Sequence, residues 1–181
     1  AVKLLDGAIT QKIADFGTGS GCILLSLLAE NKLWHGQGID RSAEALQIAA
    51  QNARELGLEA QVSWLNASWF DDNLASALRL PLDMLVSNPP YIPVADIPAL
   101  APEVKDYDPL SALDGGADGL DHYRQIASLA PALLKTGGWV VLEVGVGQAE
   151  DVSRIFAGSG LQPFKIVPDL AGIDRCLILK K

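Results

Sequence analysis

Along the 181 residues, short β-like apolar runs alternate with stretches whose apolar positions recur every three to four residues. Residues 12–16 read as a strand, followed by the glycine-rich turn Gly17-Thr18-Gly19-Ser20-Gly21. A helix is expected from Cys22 to about Glu30, with Ile23, Leu24, Leu27 and Leu28 at core spacing. Residues 37–39 form a short strand ending at Asp40, and Ser42 is placed to cap a helix that runs to Leu56 and closes at Gly57. Further strands are predicted at 61–65 and 82–87, the latter carrying Asp83 inside it, and a helix at about 120–134 stops before Gly137-Gly138. A strand at 139–144, a helix at 150–157 and two late runs, 164–167 and 176–179, complete the pattern, the last two as a closing hairpin-like pair.

Regular alternation of strand and helix predicts an α/β domain with a parallel sheet covered on both faces. In such sheets ligands sit beyond the carboxyl ends of the strands, where the strand order reverses. The glycine turn, Asp40, Trp69 and Asn88-Pro89-Pro90-Tyr91 all follow strands, so they are expected along one edge. One stretch breaks the rhythm. Residues 92–118 hold Pro93, Pro98, Pro102, Pro109, Gly115 and Gly116 without a clear helix or strand. A connection this long is expected to be a functional lid, with a short helix near 97–104 as the alternative.

Composition changes the picture in three places. The length suits one domain with a substantial core, and no run of apolar residues is long enough for a membrane helix. Net charge is −8, which argues against a nucleic acid as the main partner, because a duplex-binding surface is normally basic. Cys22 and Cys176 are expected to be buried, reduced thiols in a cytoplasmic protein, and the two histidines, His35 and His122, have no spaced Cys or His partners for a metal.

The chemistry lies in the turns. In Asp15-Phe16-Gly17-Thr18-Gly19-Ser20-Gly21 the glycines let backbone approach a ligand and aim helix N–H groups at an anion. The register is not that of a dinucleotide fingerprint, since Cys22 stands where a third small residue is wanted, and no Lys-Ser/Thr pair follows to make a P-loop. Asp15 would repel a pyrophosphate and suits a ligand with an ammonium group as well as a carboxylate. A tight turn without a ligand is the alternative. Asp40 is placed to accept ribose hydroxyls, or else simply caps a strand. In Asn66-Ala67-Ser68-Trp69-Phe70 either ring can stack on a flat adenine, with Phe70 the better candidate for the core.

Asn88-Pro89-Pro90-Tyr91 is the most specific signal. Two prolines cannot continue a strand, so the backbone is fixed at the strand's end. The Asn88 side-chain oxygen and the Pro89 carbonyl can accept the two N–H bonds of a planar NH2 group and aim its lone pair, while Tyr91 packs against the plane and excludes water. The alternative is a rigid loop and nothing more.

Together the glycine turn, Asp40 and the Asn-Pro-Pro-Tyr corner resemble a class I S-adenosylmethionine-dependent methyltransferase. Further motifs make the resemblance narrower. Glu103-Val104, the run Tyr107-Asp108-Pro109-Leu110-Ser111-Ala112-Leu113-Asp114-Gly115-Gly116, Asp118-Gly119-Leu120, Leu142-Glu143-Val144-Gly145 and Gly147-Gln148 resemble the bacterial release factor glutamine-N5 methyltransferases, the PrmC/HemK family. The resemblance runs from about Ile13 to Leu179. It implies a Rossmann-like, seven-stranded, mostly parallel sheet with helices on both faces and an antiparallel last hairpin. It implies S-adenosylmethionine as cofactor, with Asp15, Gly17, Thr18, Gly19, Ser20 and Gly21 around its methionine part, Asp40 on the ribose and Trp69 on the adenine. Asn88, Pro89, Pro90 and Tyr91 would bind the substrate glutamine of the Gly-Gly-Gln loop of class 1 release factors, with Asn88 also meeting the cofactor and Asn88, Pro89 and Tyr91 catalytic. The expected enzyme is a cytoplasmic monomer without metal, membrane or direct nucleic-acid contacts. Family members carry an N-terminal helical domain, so the chain is expected to be the catalytic domain alone, with residues 1–10 as linker. Ser68 departs from the family, whose members often have an acid there. Three alternatives remain: a ribosomal-protein glutamine methyltransferase, a DNA or RNA adenine-N6 methyltransferase, and a non-catalytic S-adenosylmethionine-binding module.

Overall fold

A computed structural model describes residues 1–5, 7–105 and 109–181. Tyr107 and Asp108 of the expected lid motif lie outside the described residues. The chain alternates strand and helix as β1 (Gln11–Phe16), α1 (Cys22–Ala29), β2 (Trp34–Asp40), α2 (Ala43–Glu55), β3 (Val62–Asn66), α3 (Leu74–Ala77) and β4 (Leu82–Ser87). After the corner come two short helices, α4 (Pro102–Lys105) and α5 (Leu110–Leu113), then α6 (Asp121–Leu133), β5 (Leu134–Glu143), α7 (Ala149–Gly158), β6 (Gln162–Pro168) and β7 (Asp174–Lys180).

The seven strands form one sheet in the order β3-β2-β1-β4-β5-β7-β6. β1 to β5 are parallel, and β7 is antiparallel to both β5 and β6. Period-two alternation sorts strand side chains between two cores. Ile13, Met84 and Val86 face α1 and α2, packing with Leu24, Leu28 and Ala53. Ala14, Phe16, Leu85, Val140 and Leu142 face α6 and α7, packing with Tyr123, Ile126, Val152 and Phe156. Every residue of β4 is buried, Asp83 included. That carboxylate is tolerated because Oδ2 accepts from Lys12 N at 2.6 Å and Oδ1 pairs with the Lys135 ammonium. Both partners sit toward the amino end of β4, away from the corner.

The elements follow the sequence closely, with instructive exceptions. Ser42 caps α2, its Oγ accepting from Ala45 N at 3.1 Å, and Gly57 has φ +68° just past its end. Ile23 and Cys22, expected inside, are exposed, because α1 turns Leu24, Leu25, Leu27 and Leu28 to the sheet instead. Cys176 is half-buried, and burial pushes its thiol pKa up. β2 begins three residues earlier than expected, and α6 runs straight into a β5 that starts at Leu134. Among the described residues no helix is long and apolar enough to cross a membrane.

Candidate active site

The strand order reverses between β1 and β4, which makes their carboxyl ends the switch point of the sheet. Phe16 pairs with Ser87, so Gly17 and Asn88 leave the sheet side by side. Ser87 Oγ donates to Phe16 O at 2.7 Å and locks the two ends together.

The glycine turn is tied to β2. Gly17 N and Thr18 N both donate to Ile39 O, at 2.9 and 3.0 Å. Gly19 has φ +54°, and among the described residues nothing stands within 4 Å of where a side chain would begin, so its backbone is bare toward the site. Its N–H donates to Asp40 Oδ2 at 2.8 Å, and Asp40 Oδ1 accepts from Ser42 N at 2.9 Å. One carboxylate therefore fixes the turn and the start of α2, and each oxygen keeps lone-pair capacity for a hydroxyl.

Asp15 is 1% exposed. Its Oδ2 accepts from Thr18 Oγ1 at 2.7 Å, while the buried Oδ1 has no partner among the described residues. Burial pushes its pKa up to about 7, with the Thr18 hydroxyl and the Leu24 backbone N–H opposing the shift and the nearby Asp40 charge adding to it. A buried acceptor left open at a strand end is what an ammonium-bearing ligand would satisfy.

A cavity of about 270 Å³ opens at the switch point. Of the residues predicted for the site, it brings together Gly17, Gly19, Asp40, Trp69, Asn88 and Pro90. Asp15, Thr18, Ser20, Gly21, Pro89 and Tyr91 are not among the residues that line it. Thr18 is buried on Asp15, and Ser20 offers its carbonyl to Asn52. Gly21 is the N-cap of α1, packed so closely under Leu25 and Trp64 that a Cβ would stand 3.1 Å from each. Pro89 is buried and Tyr91 half-buried.

Between the two rings after β3, the expectation is reversed. Trp69 is the buried one, 8% exposed and stacked on Phe16 with ring planes 3° apart, whereas Phe70 is 52% exposed. Both reach the cavity wall. Trp69 can be buried because its one polar atom is satisfied: Nε1 donates to His122 Nδ1 at 3.1 Å. His122 also lines the cavity, and sequence reasoning missed it, having tested the histidine only as a metal ligand.

The Asn-Pro-Pro-Tyr corner is held from far along the chain. Gln148 Nε2 donates to Tyr91 O at 3.0 Å, and Gln148 Oε1 accepts from Gly145 N at 3.1 Å. The Tyr91 hydroxyl donates to Glu143 Oε1 at 3.4 Å; burial first, and the Glu143 charge second, raise its pKa. The expected lid is partly a strap. Ile92 N donates to Leu113 O, Gly115 N to Ile92 O and Val94 N to Gly116 O, at 2.8–3.1 Å, so residues 113–116 run alongside 92–94. The helix expected near 97–104 is two pieces, a 3-10 turn at Ile97–Ala99 and α4. Pro109, Ser111 and Ala112 bring α5 and its flank to the cavity.

A sequence model described as the methyltransferase small domain matches residues 2–98, a span that includes the glycine turn, Asp40 and the corner. The chain belongs to this family. The release factor glutamine methyltransferase of Rhodospirillum rubrum is 50% identical over 94% of this chain and 51% of its own length. That of Cereibacter sphaeroides is 42% identical over 95% of the chain and 61% of its own. The chain thus spans between half and two thirds of the length of these relatives, and the resemblance drawn from its motifs holds across nearly all of it. A methyltransferase from Pyrococcus furiosus, 14% identical, superposes with a TM-score of 0.68 over 96% of this chain and 76% of that one. The fold is therefore the Rossmann-like methyltransferase fold that the sequence suggested.

Proposed function

We propose that this chain transfers the methyl group of S-adenosylmethionine to the side-chain amide nitrogen of the glutamine in the Gly-Gly-Gln motif of class 1 peptide chain release factors. The observation that carries the proposal is one cavity shared by two sets of residues: Gly17, Gly19 and Asp40 on the donor side, Asn88 and Pro90 on the acceptor side. The name of the relatives supplies the acceptor's identity.

The residues fit the cofactor. Asp15, through its open oxygen, and the bare turn at Gly19 suit the ammonium and carboxylate of a methionine moiety. Asp40 would accept from the ribose, and Phe70 and Trp69, which both line the cavity, would flank the adenine. When bound, S-adenosylmethionine supplies a sulfonium-activated methyl group, so the amide needs no deprotonation before attack. The chain's own task is positioning. Asn88 Oδ1 and the Pro89 carbonyl accept the two amide N–H bonds and direct the nitrogen lone pair at the methyl carbon. Transfer would leave the donor as a neutral thioether, and the methylated nitrogen would give up one proton to solvent. Pro90 forms the wall, and Tyr91 acts from behind, holding the corner through Glu143 and Gln148. The reaction is placed in the cytoplasm, with the chain acting as a monomeric catalytic domain on a protein partner rather than on nucleic acid, consistent with its charge of −8.

The test is transfer of a labelled methyl group to three acceptors: a class 1 release factor, its Gly-Gly-Gln variant with glutamine replaced by alanine, and adenine-containing DNA. Label in the first alone is expected. Label in the DNA but not in the factor would overturn the reading.

A further inference from the structure

His122 lies in the first turn of α6 and touches two separate parts of the site, the Trp69–Phe70 wall and the strap at Asp114. Its Nδ1 receives the Trp69 indole N–H at 3.1 Å, and its Nε2 is 3.0 Å from the Asp114 carbonyl on the strap. Its ring also meets Trp69 and Phe70 edge-on, each at 5.4 Å between centroids. The imidazole lines both the cavity and a wider groove beside it, where Arg41, Asp121 and Arg124 also stand.

Its partners leave no freedom in where the proton sits. An indole N–H only donates, so Nδ1 must be a bare acceptor. A carbonyl only accepts, so Nε2 must carry the hydrogen. The network therefore takes the neutral Nε2–H tautomer, and protonation would set a second N–H against that of Trp69. We propose that neutral His122 is a positioning residue that tethers the strap at Asp114 to the Trp69–Phe70 wall, so that the adenine end of the pocket is fully assembled only while the imidazole is unprotonated. This rests on the reading that the cavity takes S-adenosylmethionine.

The surrounding charges set the balance. Burial, the largest influence, and Arg41 from the turn before α2 hold the imidazole neutral, while Asp114 on the strap, through its backbone bond and its charge, and Asp121 on α6 oppose this. Arg124 is occupied by Asp118 and Asp121, and Asp71, after Phe70, accepts from Ser68 N. The pocket is thus biased toward its assembled form at neutral pH and loosens in acid.

Two measurements test this. The first needs no ligand: the Trp69 indole N–H resonance, assigned by its loss in Trp69→Phe, is followed from pH 8 to 5 with the His122 ring nitrogens. The indole signal is expected to move with His122 protonation, from a starting Nε2–H tautomer. A pH-independent indole signal, or the Nδ1–H tautomer, would overturn the tether. The second is S-adenosylhomocysteine affinity by calorimetry over the same range. Wild type should lose about five- to tenfold more affinity in acid than His122→Gln, whose amide offers an NH2 donor end and an oxygen acceptor end without titrating. His122→Ala should bind more weakly than His122→Gln at neutral pH. Identical pH profiles for wild type and His122→Gln, or wild-type affinity in His122→Ala, would contradict the proposal. A titrating indole signal with no cofactor binding at any pH would leave the tether standing and remove the function proposed above.

Discussion

The glycine turn after β1 and the Asn-Pro-Pro-Tyr corner after β4 leave the sheet as neighbours, yet they are held by different means. The turn is fixed nearby: two N–H groups on Ile39 O, one on the Asp40 carboxylate, and a Thr18–Asp15 bond three residues apart. The corner takes its rigidity from Gln148, Glu143, Gly119 and residues 113–116, all brought back from later in the chain. A glycine turn held mainly by β1, β2 and the residues that follow them thus sits beside a corner whose supports come from the second half of the domain. Damage to one should therefore leave a signature different from damage to the other.

The largest separation is expected from Gly119→Ala. Gly119 has φ +77°, and a Cβ there would stand 2.4 Å from Tyr91 O and 2.6 Å from Gln148 Nε2. Positive φ and a clash with backbone together should cost about 3 kcal/mol of stability or more. Methyl transfer should collapse while the folded protein still binds S-adenosylhomocysteine. Denaturant unfolding and calorimetry on one preparation check both halves; normal transfer would mean that the corner does not depend on its remote support.

Asp40→Ala attacks the other side. It removes the acceptor for Gly19 N and Ser42 N together with the proposed ribose contact, and cofactor affinity should fall by about 1–3 kcal/mol. Transfer at saturating cofactor should recover much of its rate. Affinity equal to wild type would return Asp40 to the role of a strand-end cap.

Asp15→Asn sharpens the comparison by a smaller amount. The folded pKa of Asp15, about 7, lies above its ordinary 3.8. The folded protein thus binds the extra proton more tightly than the unfolded chain does. This contribution to stability is complete below about pH 4 and is lost as pH rises through 7. The wild-type melting temperature should therefore fall between pH 5 and 8, and Asp15→Asn should flatten that slope and melt about 3–8 °C higher at pH 8. The same variant should bind cofactor more weakly, having lost its charge. Parallel melting curves for the two proteins would show that Asp15 does not titrate in this range.

The two regions also differ in how much of them can be read from sequence. The turn, Asp40 and the strands that carry them are local patterns, and they fold where periodicity and glycine spacing put them. β2 is legible only in part: residues 37–39 read as strand from sequence, whereas Trp34, His35 and Gly36 do not, and Gly36 and Gly38 both lie within it. They stand there because Leu24 and Trp64 press within 2.5–3.0 Å of where side chains would begin. Around the corner the motif names the residues but not their supports. Gln148 and Glu143 carry a family resemblance, yet their bonds to Tyr91 span 57 and 52 residues, beyond the reach of periodicity. The exchange of roles between Trp69 and Phe70 has the same origin. Which ring goes inside is decided by His122, 53 residues later, offering the indole a partner.

The most direct test of this division is Asn88→Ala, measured twice on the same preparation: labelled methyl transfer to a release factor, and S-adenosylhomocysteine affinity by calorimetry. If Asn88 holds the acceptor amide, transfer should fall by about 10²–10³-fold, as when one oriented hydrogen-bonding group is removed from a transition state, while affinity changes by less than about threefold. Equal loss of transfer and affinity would make Asn88 a cofactor ligand, and transfer at the wild-type rate would contradict the account of the corner altogether.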